Sequence, residues 1–328
     1  MIVRPVMTTF PSHLQRKQRI QTGRVIQNRQ LCRSHFRLTA RVSEFDDAEA
    51  GQFVHLCPIR SDGETYALID GPRTDAHAVW WKDLQDPLLR RAFSIARLIR
   101  NRDRVEIDVI YRVVGTATRW LESLQEGDEL SVMGPLGQPF PIAAGKSNAW
   151  LVAGGVGLPP LLWLAEALQR HGKSVVAFCG AQTRDLLALD LDDARPPTTS
   201  GRSATFTARE FAELGAPVVI STDEGSFGFH GHVGAALIAY AAENTPPRDD
   251  LVVYTCGPER MMRFVAQFCE AREMECYVCV ERNMACGTGM CQSCIVPIHD
   301  ECDTDRWRYS LCCTEGPVFP AKAVLWDH

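Results

Sequence analysis

The sequence lacks an apolar segment of the length that a membrane-spanning helix needs. Its longest apolar run without a charged residue covers residues 149–165, seventeen residues, whereas a span takes about 20. Glycines and prolines interrupt this run, so we interpret it as a strand, a turn and a helix. No apolar segment closely follows the basic N-terminus, so no signal peptide is expected. We therefore expect a cytoplasmic protein that does not enter a membrane.

Basic charge is not in excess, and the cysteines do not suit a disulfide scaffold. The chain has 35 Lys and Arg against 40 Asp and Glu, a net charge of −5, which provides no electrostatic case for binding nucleic acid.

Thirteen cysteines in 328 residues are too dispersed for a small disulfide-rich fold and suit metal ligation in a reducing compartment. The length predicts two or three domains.

Acidic residues are missing from residues 1–43, which contain eight Arg and one Lys. Residues 1–18 show no periodicity and are predicted to form a disordered basic extension; a transit peptide or a misassigned start would have the same composition. From residue 19, short runs of strand-forming residues predict a small antiparallel barrel over residues 19–142. The runs are 24–27, 35–42, 52–56, 105–114 and 129–133. A segment near 59–84, rich in Asp, Gly, Pro and Thr, is predicted to be an insertion.

After residues 134–137 the hydrophobic pattern changes to strands that alternate with helices. Strands at 150–153, 174–179, 218–221 and 251–255, with helices at 161–169 and 259–272, predict a doubly wound α/β domain over residues 143–275. The first strand leads into G-G-x-G, which is not the dinucleotide fingerprint G-x-G-x-x-G. Ordinary turn chemistry is therefore an alternative for that turn and for the Cys-Gly-Pro turn at 256–258.

The last part of the chain, residues 276–328, carries the most specific pattern. Cys286, Cys291 and Cys294 follow C-x4-C-x2-C spacing, and Cys312 or Cys313 can supply a fourth thiolate. The glycines at 287 and 289 let the backbone turn tightly and direct N–H groups at sulfur. This is the order of a plant-type 2Fe–2S site. A zinc site, which favours a C-x2–4-C pair at each end, and free thiols are the alternatives.

A second candidate site follows the predicted insertion. Arg91, Phe93 and Ser94 offer a phosphate clamp, an aromatic ring and a hydrogen bond to a heterocycle along one strand. A later strand at 110–114 enters a turn of small residues and then a predicted helix at 119–125, whose N-terminus suits a pyrophosphate. Thr118 can also serve as a simple N-cap of that helix.

Barrel, nucleotide sheet and cluster in this order resemble the electron-transfer subunits of bacterial dihydroorotate dehydrogenase, a family of ferredoxin reductase-like flavoproteins. The resemblance covers roughly residues 19–326. Its motifs are D-P-L-L-R-R-x-x-S-I from Asp86, Y-R-V-V-G from Tyr111, G-P-L-G from Gly134, G-G-x-G-x-P-P-L from Gly154, T-D-E-G-S-x-G from Thr222, C-G-P-E from Cys256, and the cluster segment through G-P-V-F at 316–319.

The resemblance implies three cofactor sites. FAD would be bound by the clamp strand, with neighbouring residues lining the flavin and holding its phosphates: Arg91, Ala92, Phe93, Ser94, Ile110, Tyr111, Arg112, Ala117 and Thr118. NAD would be bound at three turns: Gly154, Gly155, Gly157, Glu224, Gly225, Ser226, Cys256, Gly257 and Pro258. In the family the last cluster cysteine stands three residues before the glycine of G-P-V-F, which implies Cys286, Cys291, Cys294 and Cys313 as ligands, with Cys312 a neighbour.

The sequence departs from the family pattern at three places near the flavin. Ala117 replaces the second glycine of G-x-G-T, Ala92 replaces a proline after the clamp arginine, and G-P-L-G-x-G-F appears as G-P-L-G-Q-P-F. None of these changes removes a chemical group that the cofactor chemistry needs.

Electron counting orders the cofactors. NAD exchanges a hydride and a 2Fe–2S centre takes one electron at a time, so the flavin must lie between them. The resemblance implies that dihydroorotate is oxidised on a separate FMN-containing catalytic subunit, that electrons then cross the cluster and FAD to NAD⁺, and that the assembly is a heterotetramer of two plus two subunits in pyrimidine biosynthesis. No residue of this chain is expected to be catalytic.

Met284, Met290 and the adjoining loop are candidates for the partner interface, with core packing as the alternative. The rival functions are a reductase subunit that serves a hydrogenase, a sulfide or ferredoxin-linked enzyme or an oxygenase, and a zinc-binding scaffold without flavin.

Overall fold

A computed structural model describes residues 19–59, 89–101, 104–300 and 303–326. The predicted extension at 1–18 lies outside the described residues, and so does the predicted insertion near 59–84 apart from Ile59. No helix in the described ranges is long and apolar enough to span a bilayer.

The N-terminal region is the predicted antiparallel barrel, closed by six strands. These are β1 (Arg19–Cys32), β2 (His35–Val42), β3 (Phe53–Pro58), β4 (Arg91–Asn101), β5 (Arg104–Arg112) and β6 (Glu129–Leu136). Hydrogen bonding runs β1-β2-β5-β4-β3-β6 and returns from β6 to β1. Closure leaves no free strand edge. The fold class expected from the short alternating runs is confirmed.

Alternation of side chains along the strands builds the barrel interior. Leu38 on β2 lies opposite Val109 on β5, and both are buried, because directly opposed residues share a face. Helix α1 (Thr116–Ser123) packs over one end through its buried Leu121. Asn28 of β1 donates hydrogen bonds to the carbonyls of Leu121 (2.8 Å) and Leu124 (3.0 Å), which satisfies acceptors that a helix end leaves open.

The second layer is a seven-stranded sheet. It contains β7 (Asn148–Gly154), β8 (Ser174–Ala181), β9 (Val218–Thr222), β10 (Phe229–His230), β11 (Leu251–Cys256), β12 (Glu275–Cys279) and β15 (Val318–Pro320). The order is β10-β9-β8-β7-β11-β12-β15, and all neighbours are parallel except β12 and β15. The strand order reverses between β7 and β11, and such reversals create a ligand crevice at the carboxyl ends of the strands.

Helices cover both faces of the sheet, as the predicted doubly wound fold requires. Helix α2 (Leu158–Arg170) packs between the sheet and β4 of the barrel, next to α3 (Arg209–Ala212). Helices α4 (Val233–Asn244) and α5 (Glu259–Glu270) pack on the opposite face. One apolar core therefore joins the barrel to the sheet, and a second lies beneath α4 and α5 and reaches the predicted cluster cysteines.

The C-terminal region is a hairpin, β13 (Ile295–Asp300) and β14 (Asp303–Leu311), attached to the sheet. Strand β12 pairs with β11 and strand β15 with β12, so segments before and after the cysteines complete the nucleotide sheet. The predicted boundary at residue 276 falls inside β12. It stays a prediction about how the chain divides into domains.

Polar contacts also join the barrel to the sheet. Arg37 of β2 forms an ion pair with Glu210 of α3 at 3.3 Å, with both side chains mostly buried. The hydroxyl of Tyr254 in β11 donates to the carbonyl of Pro141 at 2.8 Å. The strand ends of the sheet are thereby held at a defined position beside the barrel.

Candidate cofactor sites

The predicted cluster ligands form two pairs. The N–H of Cys291 donates to Sγ of Cys286 at 3.4 Å, and the N–H of Cys313 donates to Sγ of Cys294 at 3.4 Å. Cys286 and Cys291, both in the loop 281–294, thus lie next to each other. Cys294, the third cysteine of this loop, lies next to Cys313. Cys286 also acts electrostatically on Cys313, so the two pairs lie near each other, although nineteen positions separate Cys294 from Cys313.

Backbone amides stabilise the thiolate of Cys286. Partial burial opposes its ionisation, but the N–H groups of Cys291 and Thr288 outweigh burial and lower the pKa of Cys286 from 9.0 to about 6. Gly287 (φ +73°) and Gly289 (φ +83°) adopt the left-handed conformation that turns these amides inward. The role predicted for the two glycines from the sequence matches their conformation.

The adjacent cysteines 312 and 313 face opposite ways. Cys312 is 0% exposed and its S–H donates to the carbonyl of Val280 at 3.4 Å, towards the sheet. Burial raises the pKa of Cys312. Cys313 instead adjoins Cys294, and burial followed by its contact with Cys294 raises the pKa of Cys313. The bound iron of a cluster would supply the positive charge that ionises such a thiol.

The donor set fits a two-iron cluster better than a single metal ion. Among the described residues, no group of three or more His, Cys, Asp or Glu side chains is close enough together to hold one ion. A 2Fe–2S cluster makes a different demand, because each iron takes two protein ligands. Two pairs of cysteines, with the amides of Thr288 and Cys291 directed at the Cys286 sulfur, meet that demand.

The cluster loop is packed directly against the barrel. Gln138 follows β6, and its N–H donates to the carbonyl of Gly316 at 2.7 Å while its side-chain amide donates to the carbonyl of Thr314 at 2.8 Å. A Cβ on Gly287 would stand 2.9 Å from Nε2 of His55 on β3. Strands β3 and β6 therefore contact the loop at Gly287, through His55 and Leu136, and Gln138 binds the segment 314–316 that follows the last cysteine.

The predicted flavin clamp lies on the strand beside β3. Arg91, Ala92, Phe93 and Ser94 begin β4, and the Arg91 side chain is exposed. The Arg91 guanidinium donates to the carbonyls of Leu89 and Arg90, both at 3.1 Å. Neutral acceptors of this kind are weaker partners than a phosphate, so the guanidinium is suited to an anion at this position.

The three residues predicted at the end of β5 do not share one environment. Ile110 and Tyr111 are buried and Arg112 is exposed. The Tyr111 ring stacks on Phe36 at 5.8 Å and meets the edge of Phe93 at 6.2 Å, and its hydroxyl donates to Asn28 at 3.1 Å. Tyr111 thus supports Phe93 from the barrel interior, which the sequence pattern did not distinguish from a residue lining the flavin.

The small-residue turn after β5 ends in the predicted anion site at the start of α1. The helix begins at Thr116, three residues earlier than expected, with Gly115 rather than Thr118 as its N-cap. Thr118 Oγ1 accepts the N–H groups of Val114 (2.8 Å) and Gly115 (3.0 Å). Ala117 lies in the first turn, where amides lack helical partners and can bind a phosphate.

Two of the three predicted NAD turns meet at the strand-order reversal. A Cβ on Gly157 would lie 2.1 Å from the carbonyl oxygen of Cys256, and one on Gly154 would lie 3.0 Å from Pro258. Gly257 has a φ of +151° and fits against Gly154, while Gly155 has a φ of +52° with nothing within 4 Å of its Cβ position. The close approach requires glycines and leaves Gly155 open at the crevice.

The third predicted turn lies farther along the same edge. Glu224, Gly225 and Ser226 follow β9, which is two strands away from β7 in the parallel sheet. Ser226 Oγ accepts the N–H of Arg184, the residue that begins a short 3-10 turn after β8, at 3.0 Å. All three turns therefore stand at carboxyl strand ends.

Two residues that connect the barrel to the cysteine-bearing segments were not predicted from the sequence. His55 contacts the cluster loop at Gly287, and Gln138 contacts residues 314–316, the segment that follows Cys313; His55 lies in no recognised motif, and Gln138 is the variable position of G-P-L-G-Q-P-F, to which no role was given. The available signal was a histidine in the otherwise apolar run F-V-H-L-C at 53–57. A polar side chain inside such a run is informative when it is buried.

Three protein-family descriptions match successive parts of the chain. Residues 24–139 match the siderophore-interacting FAD-binding domain. Residues 151–267 match the oxidoreductase NAD-binding domain, and residues 281–325 match the iron-sulfur cluster binding domain of dihydroorotate dehydrogenase B. The chain therefore has FAD-binding, NAD-binding and iron–sulfur domains, in the order expected from the motifs.

Similarity to named proteins extends over almost the whole chain. The dihydroorotate dehydrogenase B (NAD(+)) electron transfer subunit of Lysinibacillus sphaericus is 32% identical over 303 residues, 92% of this chain and 96% of the relative. The subunit of that name from Enterococcus faecalis is 30% identical over 95% of this chain and all of the relative. A chain in the structure of the NADH-dependent reduced ferredoxin-NADP oxidoreductase superposes with a TM-score of 0.68 at 25% identity, over 93% of this chain and 90% of that one.

Proposed function

The chain belongs to the family of dihydroorotate dehydrogenase B electron transfer subunits, and from this premise we propose that it carries electrons from a catalytic dihydroorotate dehydrogenase subunit to NAD⁺. In this proposal an FMN-containing partner oxidises dihydroorotate in cytoplasmic pyrimidine biosynthesis, in a heterotetramer of two plus two subunits. The FAD converts between the hydride chemistry of NAD and the single electrons of the 2Fe–2S cluster.

The observation that carries the proposal is the contact between the cluster loop and the strands beside the flavin clamp. Gly287 packs against His55 of β3, and His55 is paired with Ala92 of the clamp strand. Electron transfer between two cofactors requires that they lie close together. The contact between the cluster loop and the strands β3 and β4 supports direct electron transfer between cluster and flavin.

We assign the cluster to Cys286, Cys291, Cys294 and Cys313. Their pairing supports two sulfur ligands for each iron, and the amides of Cys291 and Thr288 would hold negative charge on Cys286. Cys312, whose S–H is directed at the Val280 carbonyl, is assigned no iron.

We assign FAD to the strand and turn that the motifs indicated. Arg91 would bind the pyrophosphate, together with the first-turn amides at Ala117 and Thr118, and Ser94 would contact the isoalloxazine. Phe93 would pack on the flavin, held from behind by Tyr111. The exposure of Arg91 supports this role.

We assign NAD to the crevice where the strand order reverses. Gly154 and Gly157 pack on the turn formed by Cys256, Gly257 and Pro258, and this leaves backbone amides at the edge of the crevice. Arg184, at the end of β8, forms an ion pair with Asp193 and lies over the Phe227 ring at 4.6 Å. Its charge is already balanced, which supports a cofactor without a 2′-phosphate.

The partner surface is proposed on the outer side of the cluster. Met290 stands in the cluster loop and is 86% exposed, which supports a role in docking. Met284 is only partly exposed and packs on the core beneath the cluster, which supports the packing alternative for that residue. Trp307 and Tyr309 add exposed apolar area on the adjoining hairpin.

The experiment that tests the proposal is reconstitution under anaerobic conditions. The chain is co-purified with the FMN-containing dihydroorotate oxidase of the same genome, its visible spectrum is recorded, and NADH formation from dihydroorotate and NAD⁺ is followed. We expect flavin and cluster absorbance, a stable complex and NADH formation. A Cys291→Ser variant should keep the flavin spectrum and NADH oxidation by ferricyanide and lose the dihydroorotate-dependent reaction.

Two results would contradict the proposal in different ways. Flavin and cluster spectra without complex formation or NADH would favour the alternative, a reductase subunit that serves another redox partner. The similarity to the ferredoxin-NADP oxidoreductase chain makes ferredoxin the first acceptor to assay in that case. A colourless protein would contradict the cofactor assignments themselves and favour a scaffold without flavin.

A further inference from the structure

His55 is a fully buried histidine with no hydrogen-bond partner. It is 0% exposed, and within the described part of the chain neither Nδ1 nor Nε2 makes a hydrogen bond. A buried polar group without a hydrogen-bond partner is destabilising, and most buried polar side chains in proteins are paired. The imidazole is therefore suited to a partner that this chain does not itself supply.

On one side, His55 shares a face of β3 and β4 with Ala92 and Ser94 of the flavin clamp, whereas Arg91 and Phe93 project to the opposite face. His55 lies opposite Ala92, and Phe53 lies opposite Ser94, in the antiparallel pairing of β3 with β4. Because opposed residues project to the same side and side chains alternate, these four residues share one face. Residues diagonal to each other, such as His55 and Ser94, are typically about 7–8 Å apart.

On the other side, His55 meets the cluster loop. A Cβ added to Gly287 would lie 2.9 Å from both Cε1 and Nε2 of the His55 ring. The ring edge that carries Nε2 is thus the edge that faces the loop, at the residue following the assigned ligand Cys286. The Phe53 ring, 5.7 Å away between centroids, packs beside the imidazole.

The imidazole is neutral in the folded protein. Burial, followed by the nearby guanidinium groups of Arg90 and Arg91, lowers the pKa of His55 from 6.5 to about 4. A neutral imidazole carries one N–H donor and one acceptor nitrogen. The loop side contains thiolate sulfurs, which are acceptors when they bind iron, so the proton belongs on Nε2.

We propose that His55 is a positioning residue for electron transfer, whose Nε2–H donates a hydrogen bond to sulfur at the Cys286 side of the bound cluster. The inference rests on the cluster assignment in the proposed function. Reduction adds negative charge to the cluster, so a donated hydrogen bond stabilises the reduced form more than the oxidised form. His55 therefore raises the reduction potential of the cluster and ties the cluster loop to the flavin strand.

The test uses a matched pair of substitutions in the cofactor-loaded chain. His55→Gln keeps an N–H donor, whereas His55→Met has nearly the same shape and no donor. The cluster potential is measured at fixed pH by redox titration followed by electron paramagnetic resonance. We expect His55→Gln to remain close to the unsubstituted protein. We expect His55→Met to shift the equilibrium about tenfold towards the oxidised cluster, which is ~59 mV for a one-electron couple.

A purely structural role for His55 predicts a different outcome. In that case both variants change the melting temperature and leave the cluster potential where it is, and this result would overturn the inference. A shift of the flavin potential with an unchanged cluster potential would overturn it too, because the partner would then be the flavin. Cluster loss from His55→Met but not from His55→Gln would support it.

The unsubstituted protein gives a second, independent measurement. Labelling histidine with ¹⁵N and recording pulsed electron paramagnetic resonance of the reduced cluster should show coupling to one imidazole nitrogen, and its absence would overturn the inference even if neither variant folds. A protein without any cluster signal would contradict the proposed function as well. A cluster signal with no ¹⁵N coupling would contradict the role of His55 alone.

Discussion

Two cysteines of the cluster loop and one of the sheet behind it have pKa values shifted in opposite directions. Cys286 and Cys291 in the loop have lowered pKa values, set for Cys291 mainly by the Ser293 hydroxyl and amide. Cys279 in the sheet has a raised pKa, first because of its contact with Cys256 and then because of burial. Burial raises the pKa of Cys312, which lies between the two regions.

Because all of these residues are cysteines, the difference in their pKa values comes from their surroundings, and for Cys286 it comes from the backbone amides around it. The backbone amides of strand β12 form the hydrogen bonds of the sheet, in which Cys279 pairs with Cys256 on one side and with Val318 on the other. The loop at Gly287 and Gly289 has left-handed residues and directs amides at sulfur instead. A thiol is ionised more easily where backbone amides without a partner in the sheet donate to its sulfur, as they do at Cys286.

The largest expected effect separates the two adjacent cysteines. Cys313→Ser should abolish the cluster absorbance and the paramagnetic signal of the reduced protein, because one iron loses a thiolate. Cys312→Ser should retain both, since the Cys312 side chain is directed at Val280. Visible spectra and iron content of the two purified variants check this. Loss of the cluster from Cys312→Ser with retention in Cys313→Ser would reverse our assignment.

A second prediction concerns thiol reactivity in cluster-free protein. With a pKa of about 6, Cys286 is mostly thiolate at pH 7, whereas a thiol with a pKa above 9 is less than about 1% ionised. Iodoacetamide should therefore modify Cys286 about a hundredfold faster than Cys279, as read by peptide mass spectrometry. The rate at Cys286 should fall as the pH drops through about 6, because the thiolate is then protonated.

The third prediction tests the loop backbone with a matched pair of glycines. Gly287 and Gly172 have similar φ values, +73° and +69°, but a Cβ at Gly287 would meet His55 at 2.9 Å and one at Gly172 has nothing within 4 Å. Gly172→Ala should cost about 1–2 kcal/mol of backbone strain alone. Gly287→Ala should cost more and also reduce cluster content. Equal cluster content in the two variants would argue against a role of loop geometry in iron binding.

The smallest expected effect comes from the attachment of the segment 314–316, which follows Cys313, to the barrel. Gln138→Ala removes the 2.8 Å hydrogen bond to the Thr314 carbonyl and should lower the free energy of unfolding by about 1 kcal/mol. Its cluster spectrum should be unchanged, because no ligand is touched. Thermal denaturation is the measurement, with exposed Gln125→Ala as control. An unchanged melting temperature would show that this side chain does not stabilise the segment 314–316 against the barrel.

Strand and helix positions followed from the sequence where the hydrophobic period was clear. The runs at 35–42 and 251–255 correspond closely to β2 and β11. Strand β1 extends from Arg19 to Cys32, well beyond the predicted 24–27, because its polar residues pair with β2 and β6 on an exposed face. Helix α4 was missed, since its Val, Gly and Ala residues from 233 onward lack a clear polar face.

The sequence by itself indicated the iron–sulfur cluster, because cysteine spacing is a local requirement of the chain, and its motifs implied FAD and NAD through their resemblance to a known family. Only the tertiary structure decided which way Cys312 and Cys313 face, and that Tyr111 supports Phe93 from behind. It also brought His55 against Gly287, more than two hundred positions away. Such contacts depend on how β3, β6 and the loop pack, and no local pattern records that packing.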